Sequence, residues 1–206
     1  MLMSGMVKDF TALFDLSKLN GSETSLNDLR NKGKAGRRPP IAPDAFRRQL
    51  SVGVQDGTIK FTNAGDVDVV ASIYERAFLD EMAVAMGLYY VGLGWGNEEM
   101  DTLSIALTFA HDKGAMANLK DLWLGGNQIG DAGVTALAQS CARGALPQLE
   151  KLFLNNNQIG DAGVDALAKA CAGGALASLD VLWVDNPEHP ALKAACEARG
   201  IEIHRF

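Results

Sequence analysis

The sequence contains no run of eighteen apolar residues, so no membrane-spanning helix is expected. The first fifteen residues carry Lys8, Asp9 and Asp15 and lack an uninterrupted apolar stretch with a cleavage signal, which argues against a secretory leader. Asn20-Gly21-Ser22 fits a glycosylation sequon, but without a leader it reads as chance. Histidine is scarce: His111, His189 and His204 are scattered, with no Ser/His/Asp order and no metal-ligand cluster. Neither catalysis nor a metal has a foothold, and no cofactor is expected. Gly33-Lys34-Ala35-Gly36-Arg37-Arg38 lacks the spacing of a phosphate-binding loop. Cysteine is limited to Cys141, Cys171 and Cys196. They recur at equivalent helix positions and read as buried, reduced packing residues of an intracellular, cytoplasmic chain, with the nucleus as the alternative compartment. Adjacent helices would hold their Cα atoms too far apart for a disulfide.

What is present suffices for one domain with a sizeable core, since 48% of the 206 residues are hydrophobic. Charge is unevenly placed. Residues 1–50 carry nine Lys/Arg and five Asp/Glu, a net of +4; residues 51–206 carry ten and twenty, a net of −10; together they give −6. The acidic part argues against nucleic acid as its main ligand and is compatible with a basic protein partner.

The dominant feature is a repeat. Residues 119–146 read LKDLWLGGNQIGDAGVTALAQSCARGAL, and residues 149–176 read LEKLFLNNNQIGDAGVDALAKACAGGAL. Each copy opens L-x-x-L-x-L-x-x-N, with Leu119, Leu122, Leu124 and Asn127, then Leu149, Leu152, Leu154 and Asn157. A short strand laying leucines into a core is expected, followed by an Asn whose amide bonds turn backbone. Asp131 and Asp161 are candidate N-caps, each contributing about 1 kcal/mol over Ala. Val134, Leu137, Ala138 and Cys141, and Val164, Leu167, Ala168 and Cys171, fall on one helix face. Gly144 and Gly174 mark the helix ends. The unit is strand, turn, helix, turn, and such units stack into a solenoid.

These motifs resemble the ribonuclease-inhibitor-type leucine-rich repeats. The resemblance implies an α/β fold: a short right-handed horseshoe of about four repeats, a parallel sheet on the concave face and helices on the convex face. It also implies protein binding on the concave face, without implying inhibition of a nuclease.

Degenerate copies flank the clear ones. Leu179, Leu182 and Val184 repeat the strand, Leu192, Ala195 and Cys196 a brief helix, and Ile201 with Ile203 a closing strand. Upstream, Leu88, Val91, Leu93 and Asn97 match the strand pattern with one extra residue, and Leu103, Leu107 and Ala110 match its helix. The spacing predicts an amphipathic helix over 66–86, with Val70, Ile73, Tyr74, Ala77, Phe78 and Met82 on one face and Asp66 or Asp68 as cap, covering the exposed end of the first repeat. The organisation is therefore a basic arm or linker over 1–50, with a short helix within 4–19, and a leucine-rich repeat domain over 51–206. That domain divides into a cap (51–87), repeats (88–184) and a C-terminal cap (185–206). The arm's basic cluster (Arg30, Lys32, Lys34, Arg37, Arg38, Arg47, Arg48) has three readings. It is a solvated arm or one resting on the acidic repeats, a contact with another subunit or anionic surface, or a nuclear address or RNA contact.

Side chains between the leucines point to the concave face. One column there holds Trp123, Phe153 and Trp183, flanked by Asp121, Lys151 and Val181 and by Gly125, Asn155 and Asp185. Parallel strands about 4.8 Å apart would align these rings into a stripe, to which Tyr90 is a candidate addition. Aromatics in a row, rimmed by charge, have the composition of a binding surface. The other reading is rings that stack on each other or lie beneath the arm. The candidate partner-binding residues are Trp123, Phe153, Trp183, Asp121, Lys151, Asn155 and Asp185. Three functions follow: a non-enzymatic protein-interaction module, an accessory subunit of a larger assembly tethered by the arm, and a regulator of a small GTPase, for which no residue stands out.

Overall fold

The computed structural model describes residues 37–61, 63 and 65–205. The helix expected within 4–19, the sequon at 20–22 and Arg30, Lys32 and Lys34 lie outside them. The fold is α/β. Two helices, α1 (Pro43–Gln55) and α2 (Asp66–Val84), precede an alternating series: β1 (Gly87–Tyr89), α3 (Asn97–Asp112), β2 (Asp121–Trp123), α4 (Asp131–Ala142), β3 (Lys151–Phe153), α5 (Asp161–Ala172), β4 (Val181–Trp183), α6 (Pro190–Glu197) and β5 (Glu202–His204). The five strands form one parallel sheet in sequence order. Each strand–helix unit lies beside the next in sequence, as a repeat with mostly nearest-neighbour contacts requires.

Leu122, Leu152 and Leu182 sit at matching register positions and are fully buried, as are Leu124 and Leu154 two residues on from the first two. They meet Val134, Leu137, Val164 and Leu167 from the helices in one continuous core. Every unit ends its helix in the same way. Gly114, Gly144, Gly174 and Gly200 have φ between 70 and 89°, and the following N–H groups (Ala115, Ala145, Ala175, Ile201) return to carbonyls five residues back. This left-handed turn closes the helix and satisfies its last carbonyls.

Side-chain amides tie unit to unit. Asn127 Oδ1 accepts from the N–H groups of Leu93 (2.9 Å) and Trp95 (3.2 Å), and its Nδ2 donates to the carbonyls of Tyr90 (2.7 Å) and Leu124 (2.9 Å). Asn157 accepts from Ile129 N–H (3.1 Å) and donates to Leu124 and Leu154. The turn-bonding role expected of these residues therefore extends across the repeat boundary.

The structure corrects four expectations. Asp131 and Asp161 are not N-caps of their own helices; Gly130 and Gly160 occupy those positions with no side-chain cap. Instead Asp131 Oδ1 accepts from Gly160 N–H (2.7 Å) and Gly163 N–H (3.0 Å), capping the next helix, and Asn97 does the same for Gly130 and Gly133 (both 2.9 Å). A carboxylate or amide held one repeat away meets the unpaired N–H groups at the same polarity an ordinary cap would. The carboxylate fits there because residue 163 is Gly: a Cβ would stand 2.7 Å from Asp131 Oδ1.

The first repeat also has a different register. Leu88 pairs with Leu122, so Tyr90 takes the second core leucine's place and Val91 is exposed. Asn97 thereby becomes the equivalent of Asp131, not of Asn127. Helix α2 starts after Gly65, with no side-chain cap from Asp66 or Asp68. Its buried face is Ala71, Tyr74, Phe78 and Met82, which leaves Ile73 exposed.

Helices α1 and α2 pack together and against the first repeat. Phe46 stacks on Tyr74 (4.0 Å between centroids), and Phe78 meets Phe109 of α3 edge-on (6.0 Å). Helix α1 runs through residue 50, the junction suggested by composition. Residues 37–42 belong to the same packing: Tyr74 Oη donates to the Ile41 carbonyl (2.6 Å) and Trp95 Nε1 to that of Arg37 (2.7 Å). Arg47 pairs with Asp68, and Arg38 with Glu99 (3.4 Å). Arg37, Arg38 and Arg47 of the basic cluster thus rest on the domain.

Candidate functional site

On the sheet face turned away from the buried leucines, the middle residue of the outward pattern is aromatic in every strand. Register pairing aligns Tyr89, Trp123, Phe153, Trp183 and His204. Their ring centroids lie 5.9, 3.7, 6.1 and 4.9 Å apart along the column, with interplanar angles of 18–34°. The separations follow from the strand spacing, and near-parallel rings at this distance interact favourably. Because the rings stack face to face, their edges point outward. Tyr89 at one end is 44% exposed, while Trp123, Phe153 and Trp183 are half-buried.

Two members of this column differ from the sequence reading. Tyr89 extends it at the first strand, whereas Tyr90 is in the core and stacks on Trp95. His204 extends it at the last strand. The alternation of Ile201 and Ile203 carried the signal for His204, since the residues between and after them must face the other way.

The flanking columns divide into two kinds. Asp121, Lys151, Val181 and Glu202 line one side of the rings. Lys151 Nζ stands 3.9 Å from Asp121 Oδ1, too far for a hydrogen bond, and that sheltered oxygen has no other hydrogen-bond partner among the described residues. Next to them, Lys120 and Glu150 form an ion pair (2.6 Å). On the other side, Asn155 is 8% exposed and Asp185 accepts from the N–H groups of Asn156 (2.7 Å) and Asn157 (3.0 Å). The Asp185 side chain is absorbed in the turn ladder, and the Asn155 side chain lies buried beside Gly125 of the preceding unit rather than being offered outward. Asn156, at φ 55°, holds a left-handed turn that Gly126 makes in the preceding unit, and Asp185 braces it.

Trp123 Nε1 is sheltered and has no hydrogen-bond partner among the described residues. An unmet buried donor costs about 1–3 kcal/mol, so it is a point where an added acceptor would bind.

His111, His189 and His204 lie on three different elements: the last turn of α3, the start of α6 and β5. Among the described residues no group of three His, Cys, Asp or Glu is placed to hold a metal. The three cysteines are free and buried, and burial raises the Cys141 thiol to about 12. Cys196 is also raised, first by its hydrogen bond to Cys171 and then by burial. No helix among the described residues is long and apolar enough to cross a membrane.

A family model described as Leucine Rich repeat matches residues 115–138 and 146–168, each match spanning one strand and the first part of the following helix. A comparison with curated proteins finds no match.

Proposed function

We propose that this leucine-rich repeat chain is a non-enzymatic protein-interaction module, and that a partner docks on the ring column. The observation that carries the reading is the five-membered column itself, with one ring from each strand and an unmet indole donor at its second position. Half-exposed aromatics rimmed by charge are the usual anchors of protein interfaces. Leucine-rich repeats in general bind proteins, which agrees with this use. Trp123, Phe153 and Trp183 would be the anchors and Asp121 and Lys151 the polar rim. Asp185 serves by holding the turn, and Asn155 lies buried beside Gly125. The finer form of the fold belongs to the same reading: a ribonuclease-inhibitor-type right-handed horseshoe with the rings on the concave side. Residues 51–87 and 185–206 close its ends, and residues 37–50 pack on the first of these caps. Buried thiols suit a reducing, cytoplasmic compartment.

The test is capture of partners from native extract by the intact chain and by Trp123→Ala/Trp183→Ala. Both side chains lie outside the leucine core, so the variant should keep its circular dichroism spectrum and lose the partner. Undiminished capture by a folded variant would sink the proposal. A chain lacking residues 1–36 tests tethering through the arm without cutting α1. If only that chain loses the partner, the accessory-subunit reading replaces this one.

A further inference from the structure

We infer that a second copy of this chain docks on the outer face of α2, forming a twofold dimer in which the two α2 helices run antiparallel. This face is separate from the ring column, and the inference does not rest on the docking reading.

The first observation is where apolar side chains are left in solvent. Among the described residues, every exposed large hydrophobic lies between residues 52 and 105, in α1, α2 and the first repeat. At about 100° per residue, Val69, Ile73, Arg76, Asp80 and Val84 fall on the side of α2 opposite its buried face of Ala71, Tyr74, Phe78 and Met82. All five are exposed, Val84 at 71%, and Met86 just beyond the helix is 64% exposed. Water gives a helix no reason to carry Val, Ile and Val on its outer face. Branched side chains there add no packing, and they are poorer helix formers than the straight-chain residues usual at such positions.

The second observation is charge. The chain carries a net −6, so two copies repel over most of their surface. The α2 stripe is neutral, since its only charges are Arg76 and Asp80. Asp68 and Glu75 of the same helix are paired with Arg47 and Lys113, whereas Arg76 and Asp80 take part in no ion pair among the described residues.

The third observation is self-complementarity, which a twofold contact requires because the same patch meets itself. With the axis level with residue 78, antiparallel α2 helices bring Arg76 to Asp80 of the second copy, and Asp80 to Arg76 of the second copy. Residues 73 and 84 stand about 7.5 and 9 Å from that level along the helix, so Ile73 meets Val84 of the second copy. One register thus matches both the charges and the apolar side chains. A single helix face per copy belongs with interfaces below about 1,200 Å², which hold weak, exchanging complexes, so dimerisation should vary with concentration.

The test is sedimentation velocity on the full chain, over a series reaching about 1 mM, which should show a monomer passing into a dimer. Arg76→Glu and Asp80→Arg should each raise the dissociation constant about tenfold or more, because each sets like charges against one another at both contacts. An equimolar mixture of the two variants should dimerise again, since each then meets the opposite charge. The double variant Arg76→Glu/Asp80→Arg should do so by itself. Both side chains are exposed, so circular dichroism should show every form folded. A wild-type chain that stays monomeric, single variants that dimerise as well as wild type, a mixture that stays monomeric, or assembly past the dimer would each overturn the inference.

Discussion

Asn127→Ala should be the most damaging small substitution in the polar ladder. Asn127 is 7% exposed and serves four backbone groups at once. Truncation leaves the Leu93 and Trp95 N–H groups and the Tyr90 carbonyl without the partner each has now. The Leu124 carbonyl keeps Asn157 (3.0 Å). Each orphaned buried group costs about 1–3 kcal/mol, and partial entry of water relieves some of it, so the total should be about 3–5 kcal/mol. That is a large share of the ~5–15 kcal/mol that holds a domain folded. Asn157→Ala orphans fewer groups, the Ile129 N–H and the Leu154 carbonyl, at a less buried site, and should cost about 2–3 kcal/mol. Equilibrium unfolding in urea, followed by circular dichroism and tryptophan fluorescence together, measures both. Coincident curves and unchanged slopes would validate the comparison. A loss below about 1 kcal/mol for Asn127→Ala, or a larger loss for Asn157→Ala, would refute the accounting.

Two further predictions concern groups that look alike in sequence. Asp131→Ala should cost about 1–2 kcal/mol because it uncaps α5 across the repeat boundary, whereas Asp161→Ala should be close to neutral. The Asp161 carboxylate is 84% exposed and, among the described residues, reaches only His189, at 3.9 Å; equal losses in urea unfolding would contradict the inter-repeat cap. The thiols of Cys141, Cys171 and Cys196 should resist a maleimide in the native protein and react once it unfolds, and rapid native labelling would show that the helix layer opens. Raising the Cys141 thiol from 9.0 to about 12 also has a consequence for stability. Below 9 both states hold the proton. Between 9 and 12 only the unfolded state releases it, so stability should fall as pH rises through that window, and Cys141→Ser should flatten the fall.

Most of the central fold was legible because two copies of one unit state it twice. Leucine spacing, the Asn after the strand and the glycine after the helix act within one unit, and each turned out where local geometry puts it. The first repeat was misread because its marks are substituted. Tyr90 fills a leucine site and Leu93 stands where Asn127 would be, so spacing alone favoured a slipped alignment. Pairing with β2 settled it by burying Leu88 and Tyr90 together. Part of the ring column was readable, since Trp123, Phe153 and Trp183 recur at one position. Its ends were not, because Tyr89 depended on the corrected register and His204 on a closing strand that lacks the leucine pattern of the repeats.

Sequence by itself determined the repeating strand–helix unit, its core leucines and the aromatic character of one column. These are properties of side-chain periodicity, which a single chain carries without reference to its neighbours. Only the tertiary structure decided what each polar residue does. Asp131, Asn97, Asn127 and Asp185 all bond backbone of an adjacent unit, some 28 to 37 residues away in sequence. No local pattern specifies such partners, because stacking of one repeat on the next brings them within reach.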